Sequence, residues 1–144
     1  MTVEQIISQL KESGMPFLLI GGQALQHYLP ERETRDIDLA VNRNDLDAWK
    51  EFLFSQGFKV QGLHENFWRF HASSSPELDM LLVEPETFSR MHTEAERELI
   101  PRIEHLLALK IFALREDPGL RGLRDLKDVV ALMRSKKARE EKAK

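Results

Sequence analysis

The sequence predicts an α+β (α/β-like) architecture: a small mixed β-sheet flanked by helices and followed by a C-terminal helical lobe. Three observations carry this prediction. Short apolar runs bounded by Gly, Pro and Ser are concentrated between residues 17 and 83. From Thr87 onward the apolar residues recur at helical spacing instead. The chain has 144 residues, 42% hydrophobic and 31% charged, which fits one domain able to bury a core without covalent staples.

The elements follow in order. Val3, Ile6, Ile7 and Leu10 lie on one helical face, and Gly14 is a stop. Phe17 to Ile20 is too short for a helix and reads as a buried strand, broken by Gly21-Gly22. Gln23 to Leu29 forms one or two helical turns before Pro30. After a polar loop, Asp36 to Val41 reads as a strand. Asn44 is expected to cap a helix that runs to about Gln56, with Leu46, Trp49, Phe52 and Leu53 inward and Gly57 as its stop. Strands are expected over Phe58–Leu63, Phe67–Ala72 and Leu78–Val83, with Ser73 to Pro76 turning between the last two. In the lobe, Ile103, Leu106, Leu107, Lys110, Ile111 and Leu114 form one face, interrupted near Pro118-Gly119. A last helix from Leu123 presents Leu126, Val129, Val130 and Met133. We expect one domain over residues 1–133 (core 1–85, lobe 86–133) and a frayed, charged tail over 134–144.

Composition narrows the chemistry. The chain contains no cysteine, which excludes disulfides, thiolate metal sites and thiol nucleophiles. It has no apolar run near the roughly 20 residues of a membrane-spanning helix, and residues 1–14 do not resemble a signal peptide, so a cytoplasmic location is expected. The net charge of −3 is uneven: residues 134–144 carry six basic and two acidic residues, and the rest of the chain is acidic. An acidic body argues against a broad nucleic-acid surface. The tail reads as a solvated helix end, or as a contact arm for RNA or a partner.

Asp36 and Asp38 are the sharpest feature. Aspartate is depleted in strands, yet two flank Ile37 at a spacing that places both carboxylates on one face. Like charges held together there repel, and a divalent cation relieves the conflict. Mg²⁺ (or Mn²⁺) favours hard carboxylate oxygens together with substrate phosphates. The competing reading is the solvent face of an amphipathic strand. Asp79, inside the apolar run Leu78 to Val83, adds a third carboxylate if the two strands are neighbours. Glu77 either shares that face or is an exposed residue at the strand entry. Gly21-Gly22, between a strand and a helix, lets backbone approach a phosphate, although a tight turn alone would also explain it. The chain contains neither a Gly-x-x-x-x-Gly-Lys-Ser/Thr nor a Gly-x-Gly-x-x-Gly motif. Lys110 falls in an apolar helical stripe, where it must either snorkel to solvent or meet an anion. Asp125 and Asp128 fit the start of their helix through its dipole. Phe67, Trp68 and Phe70 with Arg69 read as strand packing rather than a base-stacking platform.

Leu19-Ile20-Gly21-Gly22-Gln23-Ala24-Leu25 followed by Arg32-Glu33-Thr34-Arg35-Asp36-Ile37-Asp38-Leu39 resembles the nucleotidyltransferase superfamily related to DNA polymerase beta. The Arg-x-Thr-x-Asp-Ile-Asp form is most similar to bacterial minimal nucleotidyltransferases and abortive-infection (type IV toxin–antitoxin) nucleotidyltransferase toxins. Leu107 to Lys110 and Arg124 to Asp128 resemble their helical tails. The likeness covers residues 17–41, 78–83 and 103–133. It implies the nucleotidyltransferase fold and transfer of a nucleoside monophosphate from an NTP to a hydroxyl of RNA, protein or a small molecule. It also implies roles by position. Gly21 and Gly22 would form the phosphate-contacting turn. Asp36, Asp38 and Asp79 would hold metal, with Asp79 as the base. Lys110 would face the nucleotide phosphates, and Asp125 would sit near the site. Thr34 and Arg35 flank the Asp36–Asp38 pair as further candidate nucleotide contacts, with Arg35 either reaching the triphosphate or pairing with a nearby acid. The alternative is a nucleotidyltransferase-fold partner of low activity, antitoxin-like or regulatory, or a protein that itself binds an antitoxin.

Overall fold

A computed structural model gives the architecture; the structure describes residues 1–30, 36–116 and 122–143. Helix α1 (Val3–Glu12) opens on a capping box in which Thr2 and Gln5 satisfy each other's backbone N–H groups. Then come β1 (Leu18–Leu19), α2 (Gly22–Tyr28) and β2 (Ile37–Asn42), followed by a 3-10 turn at Arg43–Asp45, α3 (Leu46–Ser55), β3 (Lys59–His64), β4 (Phe67–His71) and β5 (Leu78–Val83). The helices α4 (Pro85–Thr93), α5 (Ile103–Glu116) and α6 (Gly122–Ala143) complete the chain.

The five strands form one mixed sheet in the order β1-β2-β5-β4-β3. β2 and β5 are parallel, and every other pairing is antiparallel. Composition explains the order. β2 and β5 carry Ile37, Leu39, Ala40, Val41, Leu78, Met80, Leu81 and Leu82, all buried, so both of their faces need cover and they take the centre. β3 is exposed along nearly its whole length and takes an edge. The core also includes Trp49 and Leu53 of α3, and Leu106, Leu109 and Leu132 bring α5 and α6 onto the same apolar cluster.

Several expectations shift. Asp36 lies just before β2 rather than inside it. Asn44 sits in the 3-10 turn before α3, and it is Asn42 that caps this turn, its side-chain oxygen accepting from the Asn44 N–H; the N-cap position of α3 falls to Asp45, which makes no side-chain cap hydrogen bond. Gly57, with φ of +92°, follows α3 as its stop. On α5, Ile111 is exposed and Leu109 is buried instead. On α6, Val129 and Leu132 turn inward with Asp128, and Leu126, Val130 and Met133 face out. The segment 134–143, expected as a frayed tail, continues α6 to Ala143. Its Arg139 guanidinium lies 4.7 Å above the Tyr28 ring, so this part of the helix packs against α2. The Tyr28 hydroxyl donates to the Pro101 carbonyl at 2.6 Å, and burial pushes its pKa up to about 12. These contacts fix α2, and with it the Gly-Gly turn that starts it.

Candidate active site

The pairing of β2 with β5 sets Asp38 directly opposite Asp79. In a parallel pair, residues in register point to the same face, so two carboxylates 41 positions apart in sequence become neighbours. Both strands are otherwise apolar, and burying those side chains fixes the register, because a slip of one residue would turn every one of them over.

Gly21 closes the site from the β1 side. The Ile20 N–H donates to the Asp38 carbonyl at 2.9 Å, which holds the turn against β2. A Cβ placed on Gly21 would collide with Asp38 Oδ2 and lie 2.9 Å from Asp38 Cγ. Only glycine permits this approach. Replacing Gly21 with Ala must move either the carboxylate or the turn. The expected result is a loss of about 1–3 kcal/mol in denaturant-measured stability. Gln23, on α2, ties that helix to the residue before β2: its Nε2 donates to the Asp36 carbonyl at 3.2 Å. Its Oε1 is buried without a hydrogen-bond partner among the described residues.

Asp79 is 3% exposed and engages Arg69, its register partner on β4. Arg69 Nε lies 2.8 Å from Asp79 Oδ1 and Nη2 lies 3.4 Å from Oδ2, and Nε is also 2.6 Å from Glu77 Oε1. A buried carboxylate needs such a counter-charge. Among the described residues, no three His, Asp or Glu side chains are already gathered as a metal-binding group. In kind, the donors suit a hard divalent cation: Asp38 and Asp79 offer carboxylate oxygens side by side, with Asp36 two residues before Asp38.

The other sequence-predicted residues divide. Lys110 is 4% exposed, and its Nζ stands 3.4 Å from Asp128 Oδ2, so this ammonium joins α5 to α6. Thr34 and Arg35 lie outside the described residues, as does the side chain of Asp125. Arg69 and Gln23 were not among the expected site residues. The signal for Arg69 was available: an arginine between the apolar Trp68 and Phe70 of a strand calls for a buried partner. Nothing in the local sequence marks Gln23.

A cleft of about 350 Å³ opens at the far end of β5, between α4 and α5, lined by Val83, Met91, Leu109 and Phe112 with Arg43 and Asn66 at its polar side. Arg43 pairs with Glu84 at 2.9 Å and bonds to Asn66. No helix among the described residues is long and apolar enough to cross a membrane.

Comparison with known proteins places the geometry in context. A family model described as "Uncharacterised nucleotidyltransferase" matches residues 1–143. The crystal structure of ANT(2″)-Ia in complex with adenylyl-2″-tobramycin superposes with a TM-score of 0.62 at 14% identity, covering 98% of this chain and 91% of that one. The solution structure of the antibiotic-resistance factor ANT(2″)-Ia gives a TM-score of 0.59 at 13% identity, covering 98% and 90%. At these identities the likeness shows a shared fold. None of the curated proteins compared matches significantly.

Proposed function

The chain belongs to this nucleotidyltransferase family, and from that premise we propose that it transfers a nucleoside monophosphate from an NTP to an acceptor hydroxyl, breaking the α–β phosphoanhydride bond and releasing pyrophosphate, in a reaction dependent on Mg²⁺ or Mn²⁺. The observation that carries the reading is the in-register pair Asp38 and Asp79, with the Gly21 backbone pressed against Asp38. Asp36, Asp38 and Asp79 would hold the cation. When bound, it supplies charge neutralisation and Lewis-acid polarisation at the phosphoryl oxygens. The residues of the chain supply the positioning on which phosphoryl transfer mostly depends. Gly21 and Gly22 give the triphosphate a backbone surface without side chains. Asp79 accepts the proton of the acceptor hydroxyl. Thr34, Arg35 and Asp125 are proposed as nucleotide contacts, and Lys110 supports the nucleotide side through its tie to Asp128.

A second reading has one observation behind it. Asp79 is held by Arg69, and a carboxylate kept in that pair would leave the protein a nucleotide-binding partner with little turnover, antitoxin-like or regulatory. Turnover separates the two. The protein is incubated with each α-labelled NTP, Mg²⁺ and three acceptor classes: RNA, a protein extract and hydroxyl-rich small molecules. The small-molecule arm is included because the fold neighbour carries an adenylylated tobramycin. Mass spectrometry then identifies any acceptor gaining one nucleoside monophosphate. A modified acceptor establishes transfer. NTP binding without any modified acceptor favours the partner reading, and neither binding nor transfer overturns both.

A further inference from the structure

Arg69 has no part in the reaction proposed above, yet it stands among the carboxylates that carry it. Its Nε is shared between Asp79 Oδ1 at 2.8 Å and Glu77 Oε1 at 2.6 Å. The two acids differ in their surroundings. The Asp79 side chain is 3% exposed and the Glu77 side chain 38% exposed, with Arg69 between them at 15%. Glu77 lies just before β5 and Asp79 is two residues on, within it, a spacing that brings both to the guanidinium from the same side. A guanidinium on Asp79 and a divalent cation on Asp79 exclude each other, because two positive groups a few ångströms apart in a shielded place repel strongly. Glu77 offers the guanidinium a second, wetter place without Arg69 leaving its position on β4.

We propose that Arg69 is a displaceable counter-ion for Asp79: it holds the carboxylate in the metal-free protein and passes to Glu77 when a divalent cation takes Asp79. It is a positioning residue, since it acts through Asp79. The inference rests on the reading that Asp38 and Asp79 hold the metal.

The consequence is a metal affinity set by two residues that do not ligate the ion. Arg69→Gln removes the competitor, and Mn²⁺ should bind about tenfold more tightly. Glu77→Gln removes the alternative partner, confines Arg69 to Asp79, and should weaken Mn²⁺ binding about tenfold. Simple loss of nearby charge would produce shifts in the same directions, so the double variant decides. If Arg69 moves between the two acids, Glu77→Gln has less than about a twofold effect once Arg69 is already Gln; independent charge effects would simply add.

The experiment titrates Mn²⁺ against the 144-residue chain without nucleotide, following the electron paramagnetic resonance signal of the free ion. It compares wild type, E77Q, R69Q, the double variant and D38N, with near-ultraviolet circular dichroism as the check on folding. Glu77 is partly exposed, so E77Q is expected to fold, and an unchanged Mn²⁺ affinity in E77Q overturns the proposal even if R69Q does not fold. Opposite shifts that fail to add support the proposal. Wild-type binding that depends on Asp38, combined with unchanged affinity in E77Q or additive shifts, overturns the counter-ion role and leaves the metal site standing. Binding as strong in D38N as in wild type, or no binding in either wild type or R69Q, overturns the metal reading itself.

Discussion

Asp38→Asn is expected to lower nucleotidyl transfer by about a thousandfold, while the protein stays folded. Asparagine keeps the size and one acceptor oxygen of the side chain, and it removes the negative charge that would hold a divalent cation. Metal stabilisation of a transferring phosphoryl group contributes several kcal/mol, and each factor of ten in rate corresponds to about 1.4 kcal/mol. Asp38 is only partly buried, and its neighbours Ile37 and Leu39 carry the packing of β2, so the thermal unfolding midpoint should hardly move. The check is a single-turnover transfer assay beside a thermal melt. A folded Asp38→Asn protein that transfers at the wild-type rate would remove the carboxylates from the mechanism. A variant that loses both activity and fold would instead assign Asp38 a structural role.

Asp128→Ala is expected to cost about 3–5 kcal/mol of stability. Lys110 and Asp128 face one another with side chains 5% and 7% exposed. Removing one partner of a buried pair takes away compensation for the other charge in a poorly solvated place, and that penalty exceeds what the pair contributes when intact. Replacing both residues with apolar side chains should therefore recover most of the loss, as in Lys110→Met with Asp128→Leu. Urea unfolding of the wild type, the single variant and the double variant measures this directly. The double variant also settles the task of Lys110. NTP affinity equal to wild type assigns the ammonium to joining α5 and α6. Affinity lost together with the charge assigns it to the nucleotide.

How much of this was legible in advance differs from element to element. The apolar runs at 78–83 and 37–41, the helical periods of α1 and α3, and the stop at Gly57 are local properties, and the structure has them close to where the sequence puts them. Asp36, Asp38 and Asp79 stand out because each is a charge beside or within an apolar strand. The inward face of α6 was not legible. Leu126, Val129, Val130 and Met133 make as good a helical stripe as the one the structure buries, and period alone does not choose between two stripes on one helix. The choice falls to Asp128, which must meet Lys110 on α5, and Val129 and Leu132 follow it inward. The basic segment after residue 133 likewise looked like a free helix end, because nothing local shows that Arg139 reaches the Tyr28 ring.

The sequence by itself determined the class of fold, the order of strands and helices along the chain, and the residue types able to take part in phosphoryl transfer. Period, turn residues and misplaced charges are written over short stretches of chain. The tertiary structure alone decided which of those residues meet. It set Asp38 opposite Asp79, laid the bare backbone of Gly21 against Asp38, and put Arg69 between Asp79 and Glu77. Each of these contacts joins separate elements, and each follows from burying two strands on both faces at once. That requirement fixes strand order and register, and no single stretch of sequence contains it.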